Sequence, residues 1–272
     1  MVVLQEHVKR TGPALRATTN VALVVYRTPV AELRSLFDLL ERTPEVAAIA
    51  IFDNGIDPAL EVEVLGRGWI YQTAGRNIGF GSAHNRLFEA LRSQSDAAFH
   101  LLLNPDIGWT VNPVTGLTAY LVAHARTGAV MPDVISPTGE RQFLAKRLPT
   151  PLGLICRRFL PAKWTRKTMA HYELRDWSFE GSRTVPIVSG CFMLLRSEAF
   201  LEVGGFDEGY FLYLEDYDLC RRLTHRQWDL AIETAAQVVH AHNRTSYSLG
   251  RPLWWHIRSA IRYFRRWGIN GL

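Results

Sequence analysis

The fold of this chain is decided at its first strand-to-helix passage, Val21-Ala22-Leu23-Val24-Val25-Tyr26-Arg27-Thr28-Pro29. Residues 21–26 are apolar and rich in valine, which is typical of a strand buried on both faces of a parallel sheet. Thr28-Pro29 then begins a helix, because the fixed φ of proline suits the first helical position. One face of that helix carries Leu33, Leu36, Phe37 and Leu40.

The same alternation continues as far as residue 125. Short apolar runs predict further strands at residues 46–52, 69–71 and 97–103. Residues 78–92 are expected to start in a glycine-rich loop and become a helix, and another helix is expected at about 113–125. Strands that alternate with helices predict an α/β fold with an open, mostly parallel, twisted sheet and helices on both faces.

The second half of the chain is less regular. Residues 131–161 contain several prolines and are expected to form loops with short elements. A strand interrupted at Ser189-Gly190 and a short helix should follow, at residues 185–196 and 198–203. Closing strands are expected at 231–232 and 238–239, and a last helix at 252–267. No repeat or linker is visible, so a single domain is expected.

The composition is that of an ordinary globular protein, with 47% hydrophobic residues among 272. No apolar run approaches the roughly 20 residues that span a bilayer. Residues 1–20 lack the apolar centre of a signal peptide, so a cytoplasmic location is expected. Cys156, Cys191 and Cys220 are odd in number and lack metal-ligand spacing, which predicts reduced, packed thiols.

Positive charge is unevenly distributed around a formal net charge of +5. Residues 141–175 hold nine lysines and arginines but one acid, Glu173, and residues 251–266 hold five arginines and no acid. Such clusters favour an anionic partner, which includes phosphate, nucleic acid and lipid surfaces. A solvated basic surface is the alternative.

The last predicted helix is amphipathic as well as basic. Helical spacing puts Trp254, Ile257, Ile261 and Phe264 on one side, and Arg258, Arg262 and Arg265 on another. A helix with these properties suits peripheral contact with an anionic membrane. A helix packed on the domain, with its arginines in water, is the alternative.

Polar side chains follow the expected strands at Tyr26-Arg27, Asp53-Asn54, Arg76-Asn77 and Asn104-Pro105-Asp106. In open α/β sheets, ligands bind outside the carboxyl ends of the strands. The glycines in residues 76–81 allow a backbone to approach a ligand, and a helix N-terminus there suits a phosphate. A carboxylate at Asp106 can hold a divalent cation that also binds substrate phosphates. Simple strand-ending turns are the alternative.

Three carboxylates, Glu215, Asp216 and Asp218, follow the turn at Gly204-Gly205 and an aromatic run. Leu214, Leu219 and Leu223 predict a buried helical face, which puts the carboxylates in the first helical turn. A carboxylate held there against apolar walls suits a general base that takes a proton from a hydroxyl. An acidic first turn on a surface helix is the alternative.

The order of these motifs resembles that of the inverting family-2 glycosyltransferases, in particular their bacterial rhamnosyltransferase-like branch. The resemblance extends from about Asn20 to Ser246. Its motifs are Asp53-Asn54, Asn77-x-Gly79-Phe80-Gly81, Asn104-Pro105-Asp106, Ser189-Gly190 with Leu194-x-Arg196, Gly204-Gly205-Phe206-Asp207-Glu208, and Glu215-Asp216-x-Asp218-Leu219.

The resemblance implies a GT-A type fold over residues 1–272, with a nucleotide-sugar donor and Mg²⁺ or Mn²⁺. About 20–130 would bind the nucleotide sugar, 131–246 would form the acceptor and catalytic half, and 251–268 would be a basic amphipathic helix. Transfer would proceed by one in-line displacement that inverts the sugar. The implied donor is dTDP-L-rhamnose, with a UDP-sugar as the runner-up. The implied acceptor is a surface-polysaccharide or polyprenyl-linked glycan.

The resemblance also implies roles for single residues. Asp216 would be the catalytic base, and Asp106 would bind the metal with His240 or its rival His242. Asn104 departs from the aspartate that opens the family's DxD motif. The donor would lie against Tyr26, Arg27, Asp53, Asn54, Arg76, Asn77, Gly79, Phe80, Asn104 and Asp106. The base or the acceptor would be supported by Glu215, Asp218, Asp207, Ser189 and Gly190.

Other classes of protein fit the sequence less well. A non-catalytic nucleotide-sugar or glycan binding module would use the same fold. A nucleic-acid binder is not expected, because no recognition helix or aromatic platform is visible. A nucleotidyltransferase would place its glycine-rich loop after the first strand, where Tyr26-Arg27-Thr28-Pro29 stands instead.

Overall fold

The computed structural model of the protein describes residues 18–154, 162–241 and 251–269. One sheet contains the strands β1 (Thr19–Val25), β2 (Val46–Asp53), β3 (Ile70–Thr73), β4 (Phe99–Leu103), β5 (Ile107–Gly108), β6 (Thr127–Ile135), β7 (Arg183–Thr184), β8 (Phe192–Arg196) and β9 (Asp229–His240). The helices are α1 (Val30–Glu41), α2 (Pro58–Gly66), α3 (Phe80–Arg92), α4 (Pro113–Ala123), α5 (Ala162–Tyr172), α6 (Ser197–Glu202), α7 (Glu215–His225) and α8 (Arg251–Trp267). Among these helices, none combines the length and apolarity that crossing a bilayer requires.

The strand order is β3-β2-β1-β4-β8-β6-β9-β5, and β7 pairs with β9. Strands β1, β2, β3, β4, β6 and β9 point the same way, whereas β5, β7 and β8 run against them. The predicted α/β fold with an open, mostly parallel sheet is therefore confirmed. The antiparallel β8 joins the two parallel parts of the sheet.

Strand β1 is buried along its whole length because helices cover both faces of the sheet. Its odd-numbered residues Val21, Leu23 and Val25 belong to the core layer that contains the predicted apolar face of α1. Ala22 and Val24 belong to a second layer with the apolar residues of α3. Since successive side chains of a strand point to opposite faces, a continuous apolar run is what this position requires.

Most predicted elements are present, and the differences have local causes. Helix α2 was not predicted, although Asp57 accepts a hydrogen bond from the Ala59 N–H and Pro58 begins the helix. Residues 131–135 are not a loop but the buried end of β6. Pro132 indicated a loop, yet it lies where the pairing of β6 with β9 shifts register, a place where a strand tolerates proline.

Two further expectations about strands were wrong in detail. The closing strands at 231–232 and 238–239 are parts of one strand, β9, because the register shift against β6 does not end the pairing. Within residues 185–196, the named strand β8 begins only at Phe192. Cys191 and Cys220 are buried free thiols, as expected, and Cys156 lies outside the described residues.

Candidate active site

A cleft of about 1040 Å³ opens where β1 and β4 end, at the edge of the sheet where the motifs were expected to meet. Its volume suits a ligand of the size of a nucleotide sugar. The predicted donor or metal residues that line it are Tyr26, Arg27, Asn54, Asn77, Gly79, Phe80, Asn104, Asp106 and His240. Residues that are far apart in the sequence therefore line the same cleft.

The glycine-rich loop forms one wall of this cleft and is held by Asn54. The side-chain N–H of Asn54 donates to the Gly79 carbonyl at 3.2 Å, and its carbonyl accepts from the Ile78 N–H at 2.9 Å. Gly79 has φ +89°, and a Cβ there would collide with the Phe211 carbonyl. The Phe80 N–H donates to that same carbonyl at 3.0 Å. Glycine is thus required at position 79 by a close contact with the loop before α7.

Two residues predicted to face the donor, Asp53 and Arg76, are not among the residues that line the cleft. Arg76 is exposed. The buried Asp53 carboxylate accepts hydrogen bonds from the backbone N–H groups of residues 55, 56 and 57, at 2.6, 2.9 and 2.6 Å, and from the Tyr71 hydroxyl at 3.0 Å. Because four donors bind this carboxylate, Asp53 holds the loop after β2 in place.

Asp106 and His240 form the part of the cleft that can hold a cation. The antiparallel pairing of β5 with β9 aligns them, and Asp106 Oδ1 lies 3.2 Å from His240 Nε2. His240 Nδ1 lies 3.0 Å from Gln142 Oε1. A proton on Nδ1, donated to Gln142, leaves the lone pair of Nε2 directed at the same place as the carboxylate.

This donor set fits a divalent cation that shares its coordination with a substrate. One carboxylate oxygen and one imidazole nitrogen suit such an ion, and the remaining positions suit phosphate oxygens and water. Within the described residues, no group of three or more histidine, cysteine, aspartate or glutamate side chains could hold a metal alone. His242, the rival ligand, lies outside the described residues.

Asp216, in the first turn of α7, is not itself among the residues that line the cleft, but it lies next to that lining. Its carboxylate accepts hydrogen bonds from the Gly190 N–H at 3.2 Å and the Tyr217 N–H at 3.0 Å. A Cβ added to Gly190 would lie 3.4 Å from the Phe80 ring, which lines the cleft, and 3.5 Å from Asp216 Cβ. The half-buried Asp216 is therefore separated from the cleft lining by little more than Gly190 and Phe80.

The Cys191 thiol lies within reach of both acidic groups. Burial raises the pKa of Cys191 to about 12, and the charges of Asp106 and Asp216 also raise it. Cys191 further accepts, at its carbonyl, a 2.8 Å hydrogen bond from the Asn104 N–H. Asp106 and Asp216 thus belong to one region of the molecule, not to opposite sides of it.

Glu215 and Asp216 are neighbours with different electrostatics. Burial raises the pKa of Glu215 to about 8, and the charge of Asp216 adds to the effect. Burial also raises the pKa of Asp216, but the Gly190 N–H and the charge of Lys146 act in the opposite direction. A carboxyl with a pKa of about 8 holds its proton at neutral pH, so Glu215 is the protonated member of the pair.

The backbone before these carboxylates is strained. Tyr213 and Leu214 have φ values of 71° and 65°, in the left-handed region that side chains other than glycine seldom adopt. Each such residue costs of order 1 kcal/mol or more and persists only where the surroundings hold it. Ser259 of α8 donates from its hydroxyl to the Leu212 carbonyl at 2.8 Å, which holds the same loop.

Asp207 and Asp218, predicted to contact the acceptor or support the base, are occupied elsewhere. Neither lines the cleft. The fully buried Asp218 contacts Arg222 at 2.7 Å, Trp267 Nε1 at 2.8 Å and Arg266 at 3.4 Å. Burial acts to raise the pKa of Asp207, yet hydrogen bonds led by that from Arg262 lower it below its ordinary value. These two carboxylates bind α8 to α7 and to the turn before it.

The structure also adds residues that the motifs did not indicate. Gln142 orients His240, and the buried Lys146 lies close enough to Asp216 to lower its pKa. Phe211 lines the cleft. Lys146 belongs to the basic segment noted in the sequence, but nothing in the pattern distinguished it from its neighbours. Of the other predicted residues, Ser189 accepts a hydrogen bond from the Cys191 N–H at 3.3 Å.

Comparison with curated proteins finds bacterial rhamnosyltransferases. The chain is 30% identical over 184 residues to N-acetylglucosaminyl-diphospho-decaprenol L-rhamnosyltransferase of Mycobacterium tuberculosis, which is 65% of this chain and 59% of that protein. It is 40% identical over 79 residues to rhamnosyltransferase WbbL of Escherichia coli K12, which is 29% of this chain and 30% of that protein. The chain thus matches less than two thirds of the length of these relatives. None of the protein-family models matches the sequence.

Solved structures with the same architecture are glycosyltransferases. GalNAc-T7, solved with UDP, GalNAc and Mn²⁺, gives a TM-score of 0.65 at 17% identity, over 91% of this chain and 47% of that one. The mannosyltransferase PcManGT of Pyrobaculum calidifontis, solved with GDP-Man and Mn²⁺, gives 0.59 at 13% identity, over 94% and 67%.

The fold of the chain is therefore the GT-A fold of glycosyltransferases. Over the matched residues the chain is similar to bacterial rhamnosyltransferases, and this similarity confirms the resemblance predicted from its motifs.

Proposed function

We propose that the chain transfers a sugar from a nucleoside-diphosphate donor to a hydroxyl group of a glycan acceptor, with inversion at the anomeric carbon. One observation carries the proposal: a carboxylate–imidazole pair lines the cleft, and a separate, partly buried carboxylate lies next to that lining at Gly190. The first arrangement suits a diphosphate with its cation, and the second suits a general base.

Asp216 is the residue that removes the proton. Its carboxylate takes the proton of the acceptor hydroxyl while that oxygen bonds to the anomeric carbon and the bond to the diphosphate breaks. The N–H groups of Gly190 and Tyr217 hold the carboxylate in place. The protonated Glu215 beside it avoids a second negative charge at neutral pH. A single displacement inverts the configuration and needs no covalent intermediate.

Asp106 and His240 are the proposed ligands of Mg²⁺ or Mn²⁺, with Gln142 orienting the imidazole. A bound cation neutralises charge on the leaving diphosphate. Both structural neighbours were solved with Mn²⁺, which supports a divalent ion here. Asn104 lines the cleft where the family's DxD motif would supply a further carboxylate.

For the donor we propose dTDP-L-rhamnose, because the curated relatives are named rhamnosyltransferases. A UDP-sugar is the alternative, since one structural neighbour was solved with UDP. For the acceptor we propose a lipid-linked glycan, because the Mycobacterium relative acts, by its name, on a decaprenol-linked sugar. Such an acceptor would place the protein at the inner face of the cytoplasmic membrane.

The test combines binding and turnover. Calorimetric titration with dTDP-rhamnose and UDP-glucose, with and without Mn²⁺, should show metal-dependent binding that Asp106→Ala weakens. Release of nucleoside diphosphate should fall about 10²- to 10⁴-fold in Asp216→Asn, the range that a general base contributes. Asp229→Asn, a change at an exposed carboxylate, is the control. Unchanged turnover in Asp216→Asn contradicts the role of the base, and metal-insensitive binding without turnover indicates a binding module.

A further inference from the structure

The outward side of α8 exposes apolar residues that no described part of the chain covers. Trp254, Ile257 and Ile261 are 56%, 47% and 55% exposed and lie at helical spacing on one face. The opposite face of the helix is buried at Ser259 and Tyr263. An ordinary surface helix turns its apolar stripe inward, whereas α8 already packs through one face and presents a second apolar stripe to the outside.

Arginines lie along the edge of this stripe, and two of them carry charge that no carboxylate of the described residues neutralises. Arg258 and Arg265 follow the stripe at helical spacing and make no ion pair with any described residue. The guanidinium of Arg258 lies 5.5 Å from the centre of the Trp254 ring. Arg262 and Arg266, one step further round the helix, are instead paired with Asp207. The helix contains no acidic residue.

The inward side of α8 fixes the helix beside the cleft. The Trp255 ring stacks on Phe211, with ring centres 4.1 Å apart, and Phe211 lines the cleft. Trp254 lies against Trp255, with ring centres 4.8 Å apart. A continuous series of aromatic rings therefore leads from the cleft wall to the exposed stripe.

We propose that this outward side of α8, formed by Trp254, Ile257, Ile261, Arg258 and Arg265, docks on a lipid surface that carries anionic head groups. Tryptophan and isoleucine enter the boundary between head groups and acyl chains, while arginines at the edge bind the phosphates. An apolar stripe without any acid, edged by unpaired cations, matches that chemistry. Docking places the cleft edge at Phe211 next to the lipid head groups, where a lipid-linked acceptor would be presented.

Binding to vesicles tests the proposal without any assay of sugar transfer. The full chain is sedimented with vesicles of phosphatidylcholine alone or with phosphatidylglycerol added, at low and high salt. We expect binding to the anionic vesicles that weakens with salt. Ile257→Ser with Ile261→Ser should lower the partition constant about tenfold or more, because apolar burial is lost. Arg258→Gln with Arg265→Gln should lower it about tenfold or more, since each arginine near an anionic surface is worth about 1 kcal/mol.

Matched changes elsewhere control for general surface effects. Val62→Ser with Leu65→Ser alters exposed apolar residues of α2, and Arg92→Gln with Arg126→Gln alters exposed arginines; neither pair should change the partition constant. Thermal unfolding confirms that each variant is folded. Equal binding by the α8 variants and the parent overturns the proposal, as does equal binding to neutral vesicles.

A second copy of the chain is the competing occupant. If the α8 variants change the sedimentation coefficient without vesicles, and lipid binding is absent, the stripe is a protein interface and the lipid proposal is wrong. Loss of vesicle binding with retained transfer to a soluble acceptor supports docking, whereas absent transfer in a chain that still binds vesicles refutes only the proposed function.

Discussion

Two regions of this molecule use aspartates in opposite ways. At the cleft, Asp106 lines the space where a ligand would lie, and Asp216, behind Gly190 and Phe80, accepts hydrogen bonds from two backbone N–H groups. At the junction of α7 and α8, Asp207 and Asp218 are enclosed by arginines and a tryptophan. The comparison teaches that a carboxylate with few donors is a better candidate for chemistry than one enclosed by several, even where both belong to a motif.

The strongest test of this difference exchanges two aspartates of one helical turn. Asp216→Asn should abolish most turnover but leave the unfolding temperature nearly unchanged or raised, because burial disfavours the charge that is removed. Asp218→Asn should lower the free energy of unfolding by about 3 kcal/mol, since it leaves Arg222, whose side chain is only 11% exposed, without its partner carboxylate. Kinetics and chemical denaturation of both variants measure the contrast. An Asp218→Asn protein of parental stability would contradict it.

A smaller effect is expected where the cleft depends on an outer residue. Gln142→Leu removes the group that orients His240 Nδ1, so Mn²⁺ affinity in the presence of nucleoside diphosphate should fall about 10- to 100-fold. Calorimetry measures the affinity. Gln94→Leu, a change at an exposed glutamine, serves as the control. Equal metal affinity in both variants would contradict the proposal that His240, oriented by Gln142, binds the metal.

The buried Glu215 should give the stability a pH dependence. Its pKa is about 8 in the folded protein and near 4.5 when unfolded, so the folded state holds an extra proton between these values. Stability should therefore fall as pH rises from about 5 to 8, by up to about 1.4 kcal/mol per pH unit. Glu215→Gln should flatten this decline in thermal unfolding, whereas Glu61→Gln, at an exposed glutamate, should not. A parental slope in Glu215→Gln would mean that Glu215 is ionised in the folded state.

The smallest predicted effect concerns the cation near the base. Lys146→Met removes a charge that lowers the pKa of Asp216, so that pKa should rise further. Because the base must be deprotonated, the acid limb of the kcat/KM profile should move to higher pH by the same amount. Lys163→Met, which removes the charge of an exposed lysine of α5, is the control and should leave the profile unchanged. A shift to lower pH would contradict this role for Lys146.

Local patterns predicted the sheet and much of the cleft because both depend on strand ends. Apolar runs gave β1, β2 and β4, and the polar residues after them necessarily meet at one edge of a parallel sheet. Pro132 misled the assignment of β6, since a strand can contain proline where its pairing shifts register. A local sequence pattern therefore predicts a strand or helix only where pairing with neighbouring elements does not outweigh the local preference.

Roles that depend on distant partners were beyond the sequence. The sequence around Asp218 does not indicate its hydrogen bond with Trp267, which lies 49 residues away. The sequence around Asp53 does not indicate that four donors bind its carboxylate. The motif resemblance implied substrate contacts for Asp53 and Asp207 and support of the base for Asp218, whereas in the structure all three carboxylates hold neighbouring segments of the chain together. The number of hydrogen-bond donors around a carboxylate is set by the folded chain, and the spacing of residues in the sequence does not indicate it.

Backbone hydrogen bonds connect the segments that carry Asp106 and Asp216. The N–H of Gly190 donates to the Asp216 carboxylate, and the carbonyl of the next residue, Cys191, accepts from the N–H of Asn104, two residues before Asp106. A distance that is set by main-chain atoms does not change when neighbouring side chains are replaced. Exchange of the residues around the cleft would therefore alter which ligand fits there while the spacing between Asp106 and Asp216 stays unchanged.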